Sequence, residues 1–243
     1  MGDRPLPGYV VGMRVLLISH EPQAAPGRIG RLLADRGIET QLHVVLSDPD
    51  APNTDFPDPG DFDAVIAFGS FANAHDPKAQ VWVQPEVEYI RQLSESDKPY
   101  LGVCFGGQLL AEALGGKVVP AGSQASEIGL VSFDGHGPEC AVPEGPWFTW
   151  HEDRIDLPAS VDVLMRNDNA IQLFRSGSAV GTQFHPEADT ILVGMWTDVG
   201  ADHIPQHTSA TELLTDLENA DDELERNCQD LIDWFIDDVM GGA

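Results

Sequence analysis

YLGVCFGGQLLAEALGG, residues 100–116, sets an apolar run of strand character against a glycine-bearing run of helical character, with Cys104 at the corner. A cysteine that only fills space has no need of Gly102, Gly106 and Gly107 around it. A nucleophile on a tight strand-to-helix turn does, because glycine lets the backbone bend sharply and approach a ligand. The spacing G-x-C-x-G is the cysteine counterpart of the G-x-S-x-G elbow. Residues 99–103 deliver the thiol to the C-terminal edge of a sheet, where open α/β sheets place their sites. The following helix offers free N–H groups and a dipole that favour thiolate over thiol. Leu109, Leu110, Ala113 and Leu114 give it an apolar face, and Gly115 and Gly116 end it. A buried cysteine beside a tight turn is the alternative reading of this segment alone.

Upstream, strands alternate with helices. Residues 13–19 (MRVLLIS) read as a first buried strand, 27–37 (GRIGRLLADRG) as a helix, and 41–46 (QLHVVL) as a second strand. Residues 47–60 are a Pro/Asp loop, 62–70 (FDAVIAFGS) a third strand, and 85–96 a helix with Pro85 near its start. Downstream come short strands at 117–122, 128–133, 161–167, 170–177 and 179–185. The last 35 residues return to helix, with Leu224, Cys228, Leu231, Ile232, Phe235, Ile236 and Val239 on one apolar stripe. The pattern predicts an α/β fold: an open, mostly parallel, flavodoxin-like sheet flanked by helices, with added antiparallel strands. One domain over 1–243 is expected, its core at about 13–196 and a helical extension at about 208–240.

Composition narrows the classes. The chain of 243 residues is 42% hydrophobic with five Trp and ten Phe, which is globular usage. The N-terminal stretch lacks the basic region and long apolar core of a secretory signal, and no window reaches a membrane span. Three cysteines without spacing motifs fit a reducing cytoplasm better than a disulfide framework. A net charge of −27, with only three lysines, repels phosphates, so neither nucleic acid nor membrane is expected as a partner.

A nucleophile needs a base, and the base an orienter. GTQFHPEAD (181–189) holds His185 and Glu187 two residues apart, a spacing that puts both on one side of an extended segment. A carboxylate within reach would fix the imidazole tautomer and stabilise its charged form. His20, His43, His75, His136, His203 and His207 show no metal-ligand spacing, and HGPEC (136–140) lacks the second ligand pair of a zinc motif, so no metal is expected. Cys140 and Cys228 read as structural.

Together these segments resemble the class I, triad-type glutamine amidotransferases, nearest their GMP-synthase-like stand-alone branch. KPYLGVCFGGQLLAEALGG (98–116) is similar to the family's nucleophile segment, with Gln108 at the motif's glutamine. VGTQFHPE (180–187) resembles its His/Glu segment and WFTWHEDRIDLP (147–158) its W-H-x-D stretch. AFGSFANAHD (67–76), followed by Trp82 and Pro85, is similar to the loop before the nucleophile strand. The similarity runs from about residue 14 to 190 and leaves the final helices unexplained.

The resemblance implies that Cys104 attacks the glutamine side-chain amide, forming a γ-glutamyl thioester and releasing ammonia, with His185 and Glu187 as base and orienter. Position suggests the Phe105 N–H and one N–H of the Gly69–Ser70 loop as oxyanion donors. Gln108 is expected to hold the substrate's amino-acid end, and His151 to line the pocket mouth. Without a P-loop or nucleotide-activating segment, no cofactor is expected and an acceptor would need a separate ATP-dependent synthase. A hydrolase of γ-glutamyl peptides or amines, using the same three residues, is the alternative; a silent binding module is a third. One departure stands out: Gly69-Ser70-Phe71 occupies the place of the family's common Gly-Gly-Pro. Ser70 is expected to resist the peptide flip that two glycines allow, biasing the loop toward its competent state.

Overall fold

The structure, a computed structural model, describes residues 12–120, 127–135 and 140–241. It runs β1 (Arg14–Ser19), α1 (Gly27–Asp35), β2 (Glu39–Val44), β3 (Ala64–Ala67), α2 (Gln80–Glu95), β4 (Tyr100–Val103) and α3 (Phe105–Ala113). Then follow β5 (Lys117–Pro120), β6 (Glu127–Val131), β7 (Asp134–Gly135), β8 (Trp147–His151), β9 (Asp153–Asp156), β10 (Asp162–Arg166), β11 (Ile171–Ser176) and β12 (Ala179–Thr182). The C-terminal part is α4 (Thr190–Val199), α5 (Ala210–Asn219) and α6 (Asp221–Trp234), continuing as a π-helical turn over Phe235–Met240.

The main sheet has the order β2-β1-β3-β4-β12-β11-β10-β7. Its β2, β1, β3, β4 and β12 are mutually parallel, while β11, β10 and β7 extend it antiparallel. Two further antiparallel pairs, β5–β9 and β6–β8, stand apart from it. The inner parallel strands β1, β3, β4 and β12 are covered on both faces and read as nearly continuous apolar runs, whereas the edge strand β2 (ETQLHV) is exposed over its first four residues. In β1, Val15 and Leu17 pack under α1 and α6, with Ile29, Leu32, Leu231 and Ile232. Leu16 and Ile18 face the other way, toward Val83, Val87 and Ile90 of α2 and Leu109 and Leu110 of α3. A smaller cluster joins Phe148 of β8 to Leu192, Val193 and Trp196 of α4 and to Leu213 and Leu217 of α5.

The C-terminal stripe is buried apart from the half-buried Ile236; Leu224 packs with α4 and α5, and from Cys228 onward the stripe covers the α1 face of the sheet. Arg28 ties the two together. Its fully buried guanidinium donates to Asp221 at 2.6 Å and Glu225 at 2.8 Å on α6, and its Nε to the Ala188 carbonyl at 2.8 Å.

Several boundaries differ from expectation. α2 begins at Gln80, so Pro85 is its sixth residue rather than its start. The one intrahelical bond that Pro85 forgoes would go to the carbonyl of Val81, a residue 70% exposed. β3 covers Ala64–Ala67 instead of 62–70, because the chain leaves the sheet at the Gly69 turn. β2 lies two residues earlier than expected. β8, β9 and α4 are elements that the residue pattern alone does not assign. Among the described residues no helix is long and apolar enough to cross a membrane.

Candidate active site

Adjacent parallel strands end side by side, and the expected site residues follow three of them. The Gly69–Ser70 loop leaves β3, Cys104 leaves β4, and the segment reaching His185 leaves β12, with β4 between the other two. The carboxyl edge of the sheet therefore gathers residues 35 to 116 positions apart in sequence without any long-range loop.

Cys104 carries the strain of this corner itself. Its φ of 49° and ψ of −100° lie where side chains rarely go, a conformation that costs on the order of 1–3 kcal/mol. Hydrogen bonds on both sides over-determine it: its N–H donates to the Thr182 carbonyl at 2.8 Å, and its own carbonyl accepts from Gln108 N–H at 2.8 Å. The three neighbouring glycines have a different job from the one expected. None has a positive φ; each instead makes room for backbone. A Cβ on Gly102 would sit 2.4 Å from the Gly106 carbonyl oxygen, one on Gly106 2.4 Å from that of Ala67, and one on Gly107 2.6 Å from that of Thr182. The start of α3 is thus pressed onto β3, β4 and β12, which holds its N-terminus at the site.

His185 is buried, and its Nδ1 donates to Glu187 Oε1 at 2.8 Å. Its backbone N–H donates to the Phe148 carbonyl at 2.8 Å, and its ring lies 4.8 Å from that of Trp196. Burial pushes its pKa down, but the Glu187 carboxylate and the facing Cys104 sulfur push it up more strongly, well above 6.5. With Nδ1 committed to Glu187, the remaining nitrogen serves the cysteine side. Gln183, which sequence reasoning missed, donates from Nε2 to Cys104 Sγ at 3.5 Å. It stands two residues before His185 in the same extended segment, so the period that links His185 to Glu187 also points to it.

The two expected oxyanion donors are open. Neither the Phe105 N–H nor the Ser70 N–H bonds to any described residue, whereas the Gly106 N–H is taken by the Phe68 carbonyl at 3.1 Å. The Gly69 carbonyl accepts from Nδ1 of His20 at 2.9 Å, and the Ser70 hydroxyl donates to Glu21 Oε1 at 2.7 Å.

Gln108 and His151 both line the cleft. Gln108 Nε2 approaches Gln183 Oε1 at 3.5 Å. His151 stands opposite Glu127 in the β6–β8 pair, its Nε2 3.1 Å from Glu127 Oε2 and its Nδ1 2.9 Å from the Asp153 carbonyl. Both ring nitrogens thus have partners inside the protein, and neither is left over for the cysteine. Glu127 also accepts from Asn167, Asn169 and Gln172. Burial would raise its pKa, yet these donors and His151 leave it lowered. No sequence signal announced Glu127, because its partners lie 24 to 45 residues away.

The cleft holds about 180 Å³ and is walled by Phe71, Trp150, Trp196 and Val199 around Cys104 and His185. That is below the roughly 300–1,000 Å³ of drug-sized sites, and suits an amino-acid side chain better than a nucleotide. Cys140 and Cys228 lie outside it, both with thiol pKa values raised by burial. His136 falls outside the described residues.

Comparison with known proteins bears on the family and the fold. Residues 27–192 match the family "Glutamine amidotransferase class-I". A glutamine-hydrolyzing GMP synthase of Thermomicrobium roseum is 35% identical over 127 residues, covering 51% of this chain and 23% of that protein. A gamma-glutamyl-L-1-hydroxyisopropylamide hydrolase of a Pseudomonas species is 32% identical over 143 residues, covering 53% of this chain and 48% of that one. The chain thus spans from about a quarter to about half the length of these relatives. Among solved structures, a glutamine amidotransferase from Thermotoga maritima superposes with a TM-score of 0.80 at 24% identity, over 92% of this chain and 98% of that one, a likeness of fold. One from Methylobacillus flagellatus superposes at 0.79 with 25% identity, over 92% and 94%. The cysteine elbow therefore sits in a chain that belongs to the class-I glutamine amidotransferases.

Proposed function

We propose that this chain hydrolyses the γ-amide of glutamine, or of another γ-glutamyl compound, through a thioester on Cys104. The carrying observation is the strained Cys104 corner at a strand end flanked by the His185–Glu187 pair. In this reading His185 accepts the thiol proton as sulfur attacks the amide carbon, and then gives it to the departing nitrogen as the C–N bond breaks. Water attacks the thioester with His185 as base, and the C–S bond breaks to return the thiol. The Phe105 and Ser70 N–H groups receive the oxyanion, each donor being worth roughly 3 kcal/mol. His151, with both nitrogens engaged, contributes a wall of the cleft and not a base, and Gln108 borders the glutamyl group.

The released ammonia would pass to a separate synthase. This reading is supported by 33% identity to a glutamine-hydrolyzing GMP synthase of Methanothermobacter thermautotrophicus that is itself one subunit of its enzyme. A second reading, hydrolysis of γ-glutamyl amines, is favoured by one observation. Ammonia as a leaving group needs no apolar wall, yet the cleft around Cys104 presents Trp150, Trp196 and Val199, which suit an amine bearing carbon. The same reading treats residues 13–196 as the core of one domain and the helices from about 208 as its extension. Ammonia and glutamate release by the purified chain, measured for glutamine beside a panel of γ-glutamyl amines, tests both. Turnover of glutamine alone supports the first reading and preference for the amines the second. Failure of both the wild type and Ser70→Gly on every substrate refutes the proposal.

A further inference from the structure

Behind the Gly69–Ser70 loop, away from the cleft, lies an ion pair that the reaction does not use. His20 follows β1, the strand next to β3, and is fully buried; so is Glu86 on α2. The His20 Nε2 lies 3.0 and 3.1 Å from the two Glu86 carboxylate oxygens, and its Nδ1 2.9 Å from the Gly69 carbonyl oxygen. Carboxylate and carbonyl only accept, so both ring nitrogens carry hydrogen. The ring is wedged between Trp82, at 5.7 Å, and Phe105, at 4.7 Å. One imidazolium therefore touches Phe105 and the Gly69–Ser70 peptide, the two sources of the proposed oxyanion donors.

Peptide geometry carries the next step. In a trans peptide the carbonyl and the N–H point in opposite directions. Anchoring the Gly69 carbonyl on His20 turns the Ser70 N–H the other way, toward the side where Gly69, Ser70 and Cys104 line the cleft. Glu21 grips the loop from its far end, accepting from the Ser70 hydroxyl at 2.7 Å and the Phe71 N–H at 3.3 Å. Rotating the Gly69–Ser70 peptide would leave a buried, charged N–H of His20 without an acceptor.

We propose that His20, held in place by Glu86, is a positioning residue that locks the Gly69–Ser70 peptide with its N–H toward the cleft, so that the oxyanion hole stands assembled in the isolated chain. The inference rests on the proposed hydrolysis through Cys104. It makes the loop's competent state a property of the core rather than of a docked partner, and it places the control in two residues that never meet substrate.

The experiment compares wild type with His20→Leu, with His20→Asn, and with the double variant His20→Leu/Glu86→Leu, which leaves no unpaired buried charge. Steady-state kcat and KM on glutamine and γ-glutamyl amines are read beside the alkylation of Cys104 by iodoacetamide, which needs the sulfur but no oxyanion hole. Both leucine variants are expected to lose at least about tenfold in kcat, toward the roughly 10²–10³ typical of a lost oxyanion donor. KM and alkylation rate should stay near wild type. His20→Asn, whose amide N–H can take the place of Nδ1, should recover most of the loss. Unchanged kcat in the leucine variants overturns the role of His20 while leaving the proposed function intact. So does a loss of alkylation in step with kcat, or an asparagine variant no better than leucine. A wild type inert alone on every substrate overturns this inference, and if Ser70→Gly is equally inert the proposed function falls with it.

Discussion

Two buried histidine–carboxylate pairs border the same cleft, and they differ in one nitrogen. His185 gives Nδ1 to Glu187 and keeps its other nitrogen on the side of Cys104. His151 gives Nε2 to Glu127 and Nδ1 to the Asp153 carbonyl, and keeps nothing back. Both belong to short motifs with an acidic residue two positions on, and by residue type either could serve as a base. What separates them is the secondary structure around them. His151 lies within a strand pair whose register sets Glu127 directly opposite, whereas His185 lies past the end of β12 and keeps only a single backbone bridge, to Phe148 of β8. The proposed base keeps one nitrogen for the Cys104 sulfur, and its place at the sheet edge leaves that nitrogen over.

The sharpest test of this difference begins with the sulfur that His185 faces. Cys104→Ala is expected to lower turnover by about 10⁴-fold or more, the scale on which removal of a nucleophile acts. An electrophilic glutamine analogue should label the wild type at Cys104, and labelling at Cys140 or Cys228 instead would break the assignment. His185→Ala comes next, with a loss expected within about a factor of ten of the cysteine variant because the two act as a unit. Glu187→Gln is expected to be about a hundredfold milder than His185→Ala, since an amide can orient the ring without stabilising its charge.

His151→Phe should change kcat by well under the roughly hundredfold that loss of a general base produces. Its cost should appear as a lower melting temperature, because Glu127 loses one of its donors. If His151→Phe abolishes turnover while His185→Ala does not, the comparison is reversed. Ser70→Gly is smaller still. A glycine there eases the peptide flip by on the order of 1 kcal/mol, so basal turnover should fall about fivefold. A wild type that is inert alone but awakened by Ser70→Gly would mean that the loop is locked off, and that a partner controls it.

The smallest expected effect is on pH-dependent stability. Burial works against the charge on His20, but the Glu86 carboxylate prevails and its pKa is raised above 6.5. A raised histidine stabilises the fold fully below its unfolded value, and the contribution disappears as pH rises through the folded one. The melting-temperature difference between wild type and His20→Leu/Glu86→Leu should therefore shift against the wild type on going from about pH 6 to alkaline pH. A difference that does not change with pH refutes the charged pair.

Much of the fold is legible in the sequence because parallel strands leave plain apolar runs. The Cys104 corner and the His185–Glu187 spacing are legible because each is local. The rest is hidden for physical reasons. In α4 the apolar residues face both ways: Leu192, Val193 and Trp196 are buried while Ile191, Met195 and Val199 are exposed, and no amphipathic stripe survives. Trp147, Phe148 and Thr149 of β8 are all buried, so the strand shows no alternation. His20 looks like any solitary histidine until its partners, 49 and 66 residues away, are folded against it. The glycines around Cys104 stand out in the sequence as residues for bending, whereas close packing of α3 against the strands is what requires them.

The buried Arg28 has a consequence for the order in which the chain can fold. Its guanidinium waits for acceptors 193 and 197 positions later, on α6, and for the Ala188 carbonyl beside Glu187. Its backbone N–H donates to the Glu187 carbonyl at 2.9 Å, so the same short stretch of α1 supports the segment that carries the proposed orienter. During synthesis the His185–Glu187 segment is made before α6, yet the Arg28 charge that braces it has no carboxylate to meet until residues 221–225 emerge. Contacts of such long sequence separation close slowly, because the entropy of the intervening loop is lost before they form. The site is therefore expected to mature late, after the sheet around it has already formed.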